Sequence, residues 1–424
     1  MSRIDKGEKQ HYTLEQKIGV LLLYWSIIMP ILTGISFIPS VFKYGADVLW
    51  IGLVLCSLKK RRITIRQNLK PMVLLVVVLF GYAILIHLMY LQSAFYFLWG
   101  FRNLFRFYIA FFAYANLMNE RNTEKWFAFV DIIFWVNVLL SIFQFVFLNV
   151  RQDYLGGVFG IGGGTNGYTV ALLCIVVVRH MCLAFELKES LWKCMWICVA
   201  SLLVSTMAEL KVFFVLLVFI LIVTAVLTKF SFKKVALMII AGSAAFIGAQ
   251  ILVYWFGFEN FFSISGVIEQ ATRANYSNSM AGDVNRLSAI PTLNRLILDA
   301  PIQRLFGLGL GNCDTAGFAI FNTPFFNKYS HLHYTWFTAP KLYLEMGYIG
   351  LAMYIAFFLL CLWQTYKAFY QKRGNRIYCQ MAIVMAMICC VLSFYNASLS
   401  YEAAYMLYFI LALPFLQQPT VETE

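Results

Sequence analysis

Along this chain, long apolar runs alternate with short polar breaks, and the runs have the length of a bilayer crossing. A spanning helix needs about 20 mostly apolar residues. Twelve segments fit: 18–39, 42–58, 71–90, 103–118, 127–149, 167–185, 191–208, 211–228, 235–255, 342–363, 377–395 and 402–416. Some are short or hold a polar residue, so the pattern predicts eleven to thirteen spans. The first 17 residues are polar, and the run 18–38 is too long for a signal-peptide core and lacks a small-residue cleavage site. It reads as a first span. Neither a repeat of fixed period nor a pair of broken helices is visible. The predicted fold class is an all-α polytopic membrane protein of about 12 transmembrane helices. Helices one to nine occupy 1–255, a hydrophilic insertion occupies 256–340, and helices ten to twelve with the C-terminal tail occupy 341–424.

Composition supports the pattern. Hydrophobic residues make up 61% of the 424 and charged residues 12%, against about 45–50% and about 25% in soluble chains. A water-exposed domain could not cover that much apolar surface. A cytosolic enzyme, a secreted domain and a nucleic-acid binder are thereby excluded, so the net charge of +13 is no DNA footprint. Lys and Arg collect on cytoplasmic loops of membrane proteins. With the N-terminus inside, 22 of the 33 fall on cytoplasmic segments, including Lys59–Arg62 and Lys372–Arg376. This bias places both termini in the cytoplasm and the insertion 256–340 outside.

Loops as long as this insertion are functional or disordered. It is not low in complexity. Aromatic anchors (Trp255, Phe256, Phe258, Phe261, Phe262, Phe325, Phe326), a helix-like stretch 284–300 and a glycine turn Gly307–Asn312 predict a folded unit on the external membrane face. Its charges cancel, with Arg273, Arg286, Arg295, Arg304 and Lys328 against Glu259, Glu269, Asp283, Asp299 and Asp314. It is therefore no general basic patch.

The eleven cations left outside are the informative minority. Arg102 and Arg106 stand four apart at the outer end of helix four, which puts both on one helix face. The planar guanidinium fork suits phosphate, so the pair could clamp a pyrophosphate or simply snorkel to headgroups. Lys211, in Glu209–Leu210–Lys211, could reach an anionic substrate or merely pair with Glu209. Arg151 opens a glycine-rich stretch to Tyr168 whose backbone could approach a ligand or form an ordinary turn. Neither this stretch nor 307–312 has the spacing of a nucleotide loop.

His331 and His333 precede helix ten. An imidazole at the external interface can act as general base near neutral pH, and Glu345 just inside helix ten could orient it or make a helix contact. No further ligand stands at metal spacing, so no metal site is predicted. The ten cysteines show no CxxC, and only Cys313 lies in the insertion, so no disulfide framework is implied.

In this order the motifs resemble the O-antigen polymerase/ligase superfamily, which comprises Wzy-type polysaccharide polymerases and O-antigen ligases. The resemblance covers most of the chain through its plan of helices, internal termini and one late external loop. Arg102 and Arg106 resemble the family's early arginine helix, and Arg151 to Asn166 its external Arg…Gly-x-Phe…Asn segment. Lys211 stands where members carry a basic residue. Arg286 opens the loop helix, and Arg304–Asn312 resembles the glycine turn that follows. His331 or His333, followed by Glu345-Met-Gly…Gly350, resembles the His…Glu-x-Gly-x-x-Gly run. The family's His-Asn pair is absent; His333 is the nearer of the two to the helix.

The resemblance implies a GT-C-like, metal-independent glycosyltransferase of the bacterial plasma (inner) membrane. It implies no cofactor, an undecaprenyl-pyrophosphate-linked oligosaccharide as substrate, membrane lipid around it and a chain-length regulator as partner. Arg102, Arg106, Arg151, Lys211, Arg286 and Arg304 would bind pyrophosphate, His333 or His331 would be the base, and Tyr334, Trp336 and Glu345 would contact sugar. The expected reaction is polymerisation of lipid-linked repeat units. The alternatives are ligase-type transfer to another acceptor and transport. A transporter should carry midmembrane charges, and here Asp131 and Glu402 lie near helix ends.

Overall fold

A helix forms at each of the twelve apolar runs in the computed structural model, which describes residues 13–59, 66–229, 231–256, 283–315 and 322–416. They are α1 (Leu14–Gly34), α2 (Gly45–Lys59), α3 (Lys70–Tyr90), α4 (Ala94–Leu117), α5 (Glu120–Val146), α6 (Asn166–Phe185), α7 (Leu191–Met207), α8 (Lys211–Leu227) and α9 (Phe232–Phe256). Among the described residues, three short helices of the insertion follow: α10 (Ala289–Leu296), α11 (Pro301–Phe306) and α12 (Pro324–Tyr329). The chain ends in α13 (Thr338–Tyr370), α14 (Arg376–Tyr395) and α15 (Ala403–Ala412). Among the described residues β-structure is limited to isolated bridges such as Leu155 with Ile161. By length and composition six helices can cross a membrane: α1, α3, α5, α6, α13 and α14.

The polar breaks serve as helix starts. Thr13 closes a capping box with Gln16, and Ser93, Asn119, Ser190 and Asn375 each cap the helix that follows. Burial orders the bundle. The best 18-residue windows of α6 and α14 are 89% and 78% buried, that of α3 only 22%. A helix that is apolar all round and buried all round belongs at the centre. So α6 and α14, with the buried α15, form the middle of the bundle, and α3 forms its rim.

Two boundaries differ from the sequence reading in ways that matter for the site. The apolar run 103–118 marks only the later part of α4, which begins at Ala94 behind the cap of Ser93. At about 1.5 Å per residue Arg106 lies roughly 18 Å along the helix rather than at its end. In addition, α13 is broken at Gly347, where φ is +63° and a Cβ would stand 2.2 Å from the Leu305 carbonyl oxygen. The break reseats the helix against α11, and no pattern of apolar residues announces it.

Cross-contacts define two ends. At one, the insertion meets the turns around 91–93 and 396–402, for example through Gln92 to the Leu308 carbonyl and Thr338 to the Asn396 carbonyl. At the other, charges pair locally. His180 sits between Asp131 (3.1 Å) and Glu189 (2.5 Å), Arg179 bridges Asp131 and Glu124, and Arg376 meets Glu186. Burial opposes the Glu189 charge, but the bonds from His180 and Lys193 hold its carboxyl below the usual range.

Within the insertion, 284–300 is not one helix. Arg286 lies ahead of α10, and Ile297–Ala300 separate α10 from α11, which Pro301 starts. The anchors Phe258, Phe261 and Phe262 and the charges Glu259, Glu269 and Arg273 lie outside the described residues. Phe325 and Phe326 are partly buried and pack against the core.

Candidate functional site

The middle turns of α4 carry an ionic network that runs across the insertion end. Arg102 grips Asp47 of α2 with both arms of its fork: Nε reaches the two carboxylate oxygens at 3.1 and 3.0 Å, and Nη2 donates to Oδ2 at 2.8 Å. Its guanidinium also lies over the rings of Tyr44 (4.9 Å) and Trp99 (4.8 Å). Arg106, one turn deeper, is only 2% exposed. Its Nη1 faces Glu402 at 3.7 Å and Asp47 at 3.9 Å, and Nη2 donates to the Ser400 carbonyl at 3.3 Å. Nε and Nη1 have no hydrogen-bond acceptor. Tyr168 of α6 donates to Glu402 at 2.5 Å, and Lys43 sits over the Tyr168 ring.

The network continues through the insertion. Asn103 donates to Asp314 at 2.5 Å, and Lys341 of α13 pairs with the same oxygen of Asp314 at 2.5 Å. What brings Asp314 there is the glycine turn. Gly311 has a φ of +81°, and a Cβ on it would meet the Tyr96 carbonyl oxygen at 1.8 Å; a Cβ on Gly100 would meet the Gly311 nitrogen at 2.4 Å. Only two glycines allow α4 and the turn to touch backbone to backbone. On the other side, Leu308 and Gly309 donate to the carbonyls of Leu344 and Glu345. Thus the turn wedges between α4 and the start of α13.

The histidine segment joins from the same side. Leu332 accepts from the Val284 amide at 2.9 Å, which sets the stretch before Arg286 beside both histidines. His331 is exposed in a 3₁₀ turn. His333 takes the left-handed conformation (φ +54°), stacks on Trp336 with ring centroids 4.1 Å apart, and holds Nδ1 buried without a partner. Arg286 lies over the Tyr395 ring at 4.2 Å, next to Asn396, whose carbonyl accepts from Thr338.

The sequence-derived candidates are therefore not equivalent. Arg102, Arg106, Arg286, His331 and His333 gather at this end through shared contacts, with Trp336 44% exposed beside His333. Tyr334 is fully buried and donates to the Cys313 carbonyl at 2.8 Å. Burial, then Cys313, Glu345 and Asp314, push its phenol up, so it remains a donor. Glu345 is 3% exposed beneath the glycine turn, beside the Gly311 and Cys313 backbone, with Oε1 unpartnered. Arg304 donates to carbonyls of Leu298, Asn294 and Asp299, which ties α10 to α11. Lys211 pairs with Glu209 at 2.9 Å, and Arg151 lies exposed over Phe145.

Asp47, Tyr168, Asp314, Lys341 and Glu402 were not singled out from the sequence. A signal existed: a buried arginine at a helix face needs an acid, and Asp47 and Glu402 are the acids at helix starts on the same side. Cys313 is buried, and its thiol is pushed well up by burial and by Glu345 and Asp314, so it is inert packing. Among the described residues no group of three His, Cys, Asp or Glu side chains could hold a metal. Comparison with known proteins finds no matching family model, no similar curated protein and no similar solved structure.

Proposed function

We propose that this chain is a GT-C-like polysaccharide polymerase with about twelve spans, and that it joins repeat units carried on a lipid pyrophosphate. The observation that carries the reading is Arg106: a buried guanidinium with two nitrogens lacking acceptors, one helical turn from a second arginine. Buried donors without acceptors are costly, and a diphosphate oxygen would satisfy them. Arg102 and Arg106 would grip the lipid diphosphate, with Arg286 on the sugar side. Asp47 and Glu402 hold the arginines in place and balance their charge until substrate arrives.

In the proposed step an acceptor hydroxyl attacks the anomeric carbon, and the new glycosidic bond forms as the carbon–oxygen bond to the pyrophosphate breaks, with inversion. The hydroxyl proton passes to an imidazole, and the lipid pyrophosphate departs as an anion that the arginines stabilise. His333 is the better placed base, since its ring is fixed by Trp336. The reaction calls for neither nucleotide nor metal. Purified protein given lipid-linked repeat units should produce a ladder of longer glycans. Single transfers to a foreign acceptor would favour the ligase reading, and glycan that only crosses the bilayer would end the enzyme claim.

His333→Ala should reduce elongation by about 10²–10⁴-fold, the usual contribution of a general base, while His331→Ala retains most of it. Gel-resolved glycan ladders from equal amounts of each variant decide between them, and activity in both variants would remove the imidazole from the mechanism. The insertion must also face outward, because the proposed donor lies in the outer leaflet. Leu287, exposed beside Arg286, gives the check: Leu287→Cys in intact cells should react with a membrane-impermeant maleimide above the wild-type background. Labelling that appears only after the membrane is opened would refute the topology.

A further inference from the structure

At the opposite end of the bundle, remote from the arginine network, lies a cavity of about 650 Å³, within the roughly 300–1,000 Å³ typical of ligand pockets. Arg66, Lys367 and Arg373 line it together with Gln67, Asn68 and Gln371, and among the described residues no carboxylate does. Three other cations at this end meet acids: Arg179 with Asp131 and Glu124, Lys193 with Glu189, Arg376 with Glu186. A bias of Lys and Arg toward one membrane side accounts for their number but not for three meeting in one concavity with no acid among the described lining residues.

The geometry favours an anion. Arg66 is anchored by Nη1 to the carbonyls of Phe415 (2.6 Å) and Leu416 (3.2 Å), and its other guanidinium nitrogens have no acceptor among the described residues. Gln67 and Asn68 lie just ahead of α3 and add amide donors to the lining. The depth is that of headgroups. Trp363, Tyr366 and Tyr370 are exposed along the last turns of α13, and Trp363 lies under the Lys367 ammonium at 5.4 Å. Trp and Tyr mark the membrane–water boundary.

We propose that this pocket binds a phosphate group, with Arg66, Lys367 and Arg373 as its donors and the headgroup of an anionic phospholipid as its first source. Basic pockets between helices at a membrane boundary take such headgroups. The site is separate from the proposed transferase centre and stands or falls independently of it.

The test measures binding to the purified full chain by native mass spectrometry, with phosphatidylglycerol, phosphatidylcholine and inorganic phosphate as probes. Phosphatidylglycerol should form a one-to-one adduct that phosphatidylcholine does not. Lys367→Gln/Arg373→Gln, which leaves the Arg66 anchor intact, should weaken it by about twenty-five-fold, from roughly fivefold per cation. Arg121→Gln/Lys125→Gln, removing the same charge elsewhere at this end, should leave it unchanged. If inorganic phosphate binds in the wild type but not the double variant, and phosphatidylglycerol shows no preference, the phosphate site holds and its source is soluble. Equal binding by the double variant, or equal loss in the control, overturns the proposal. Elution as a single species and an unchanged unfolding temperature show that each variant is folded.

Discussion

Arg106→Met should abolish glycan elongation and lower stability by about 3–5 kcal/mol, the usual effect of removing one partner from a buried ion pair. Two effects are combined in that result and can be separated. Removing the guanidinium leaves Glu402 buried with the Tyr168 hydroxyl, its own backbone surroundings and the more distant charge of Lys43. Asp47 suffers less, because Arg102 holds it bidentately. The double variant Arg106→Met/Glu402→Gln removes the orphaned charge and should recover most of the unfolding temperature. Elongation should remain absent, because the donors for the diphosphate are still missing. Recovery of elongation together with stability would make Arg106 a structural residue and would take the pyrophosphate clamp out of the mechanism. Arg106→Lys adds a second discrimination. It preserves charge but not the planar fork, so it should stay well folded and elongate poorly if two-pronged recognition matters.

Gly311→Ala should be nearly as damaging, though it removes no functional group. A methyl group there would stand 1.8 Å from the Tyr96 carbonyl oxygen, on a backbone already at φ +81°. The turn would have to lift off α4, which breaks the links from Asn103 and Lys341 to Asp314. A loss of about 3 kcal/mol or more is expected, from left-handed strain and displacement together. Elongation should fall with it, and limited proteolysis should cut the insertion faster. Gly162→Ala and Gly163→Ala make the comparison. Both glycines belong to the stretch after Arg151, yet each has open space where a Cβ would go and neither has a positive φ. They should change stability by less than about 0.5 kcal/mol. If Gly311→Ala is equally silent, the wedge does not position the site.

The helices were legible because their cause is local. A run of twenty apolar residues between polar breaks has few other options, and the breaks held caps such as Ser93 and Asn375. The start of α4 departs from the hydropathy pattern for a related reason: Ala94–Arg102 is aromatic and interfacial rather than uniformly apolar, so hydropathy alone places the helix start late. The candidate cations were legible too, as charges left on the minority side. Their ranking was not. Arg304 and Arg106 look alike in the chain, yet one closes a corner between two short helices and the other lies buried in a bundle.

By itself, the sequence determined a helical chain with helices long and apolar enough to cross a membrane, broken by one long hydrophilic insertion, and it supplied a short roster of cations and histidines. Hydropathy and charge bias act through neighbours a few residues apart, so they can be read along the chain. Only the tertiary structure decided which acid meets which arginine, that α13 breaks at Gly347, and that a turn of glycines seats Asp314 between α4 and α13. Those choices join residues hundreds of positions apart, such as Arg106 with Glu402, and they depend on backbone approach distances that no pattern of residue types encodes.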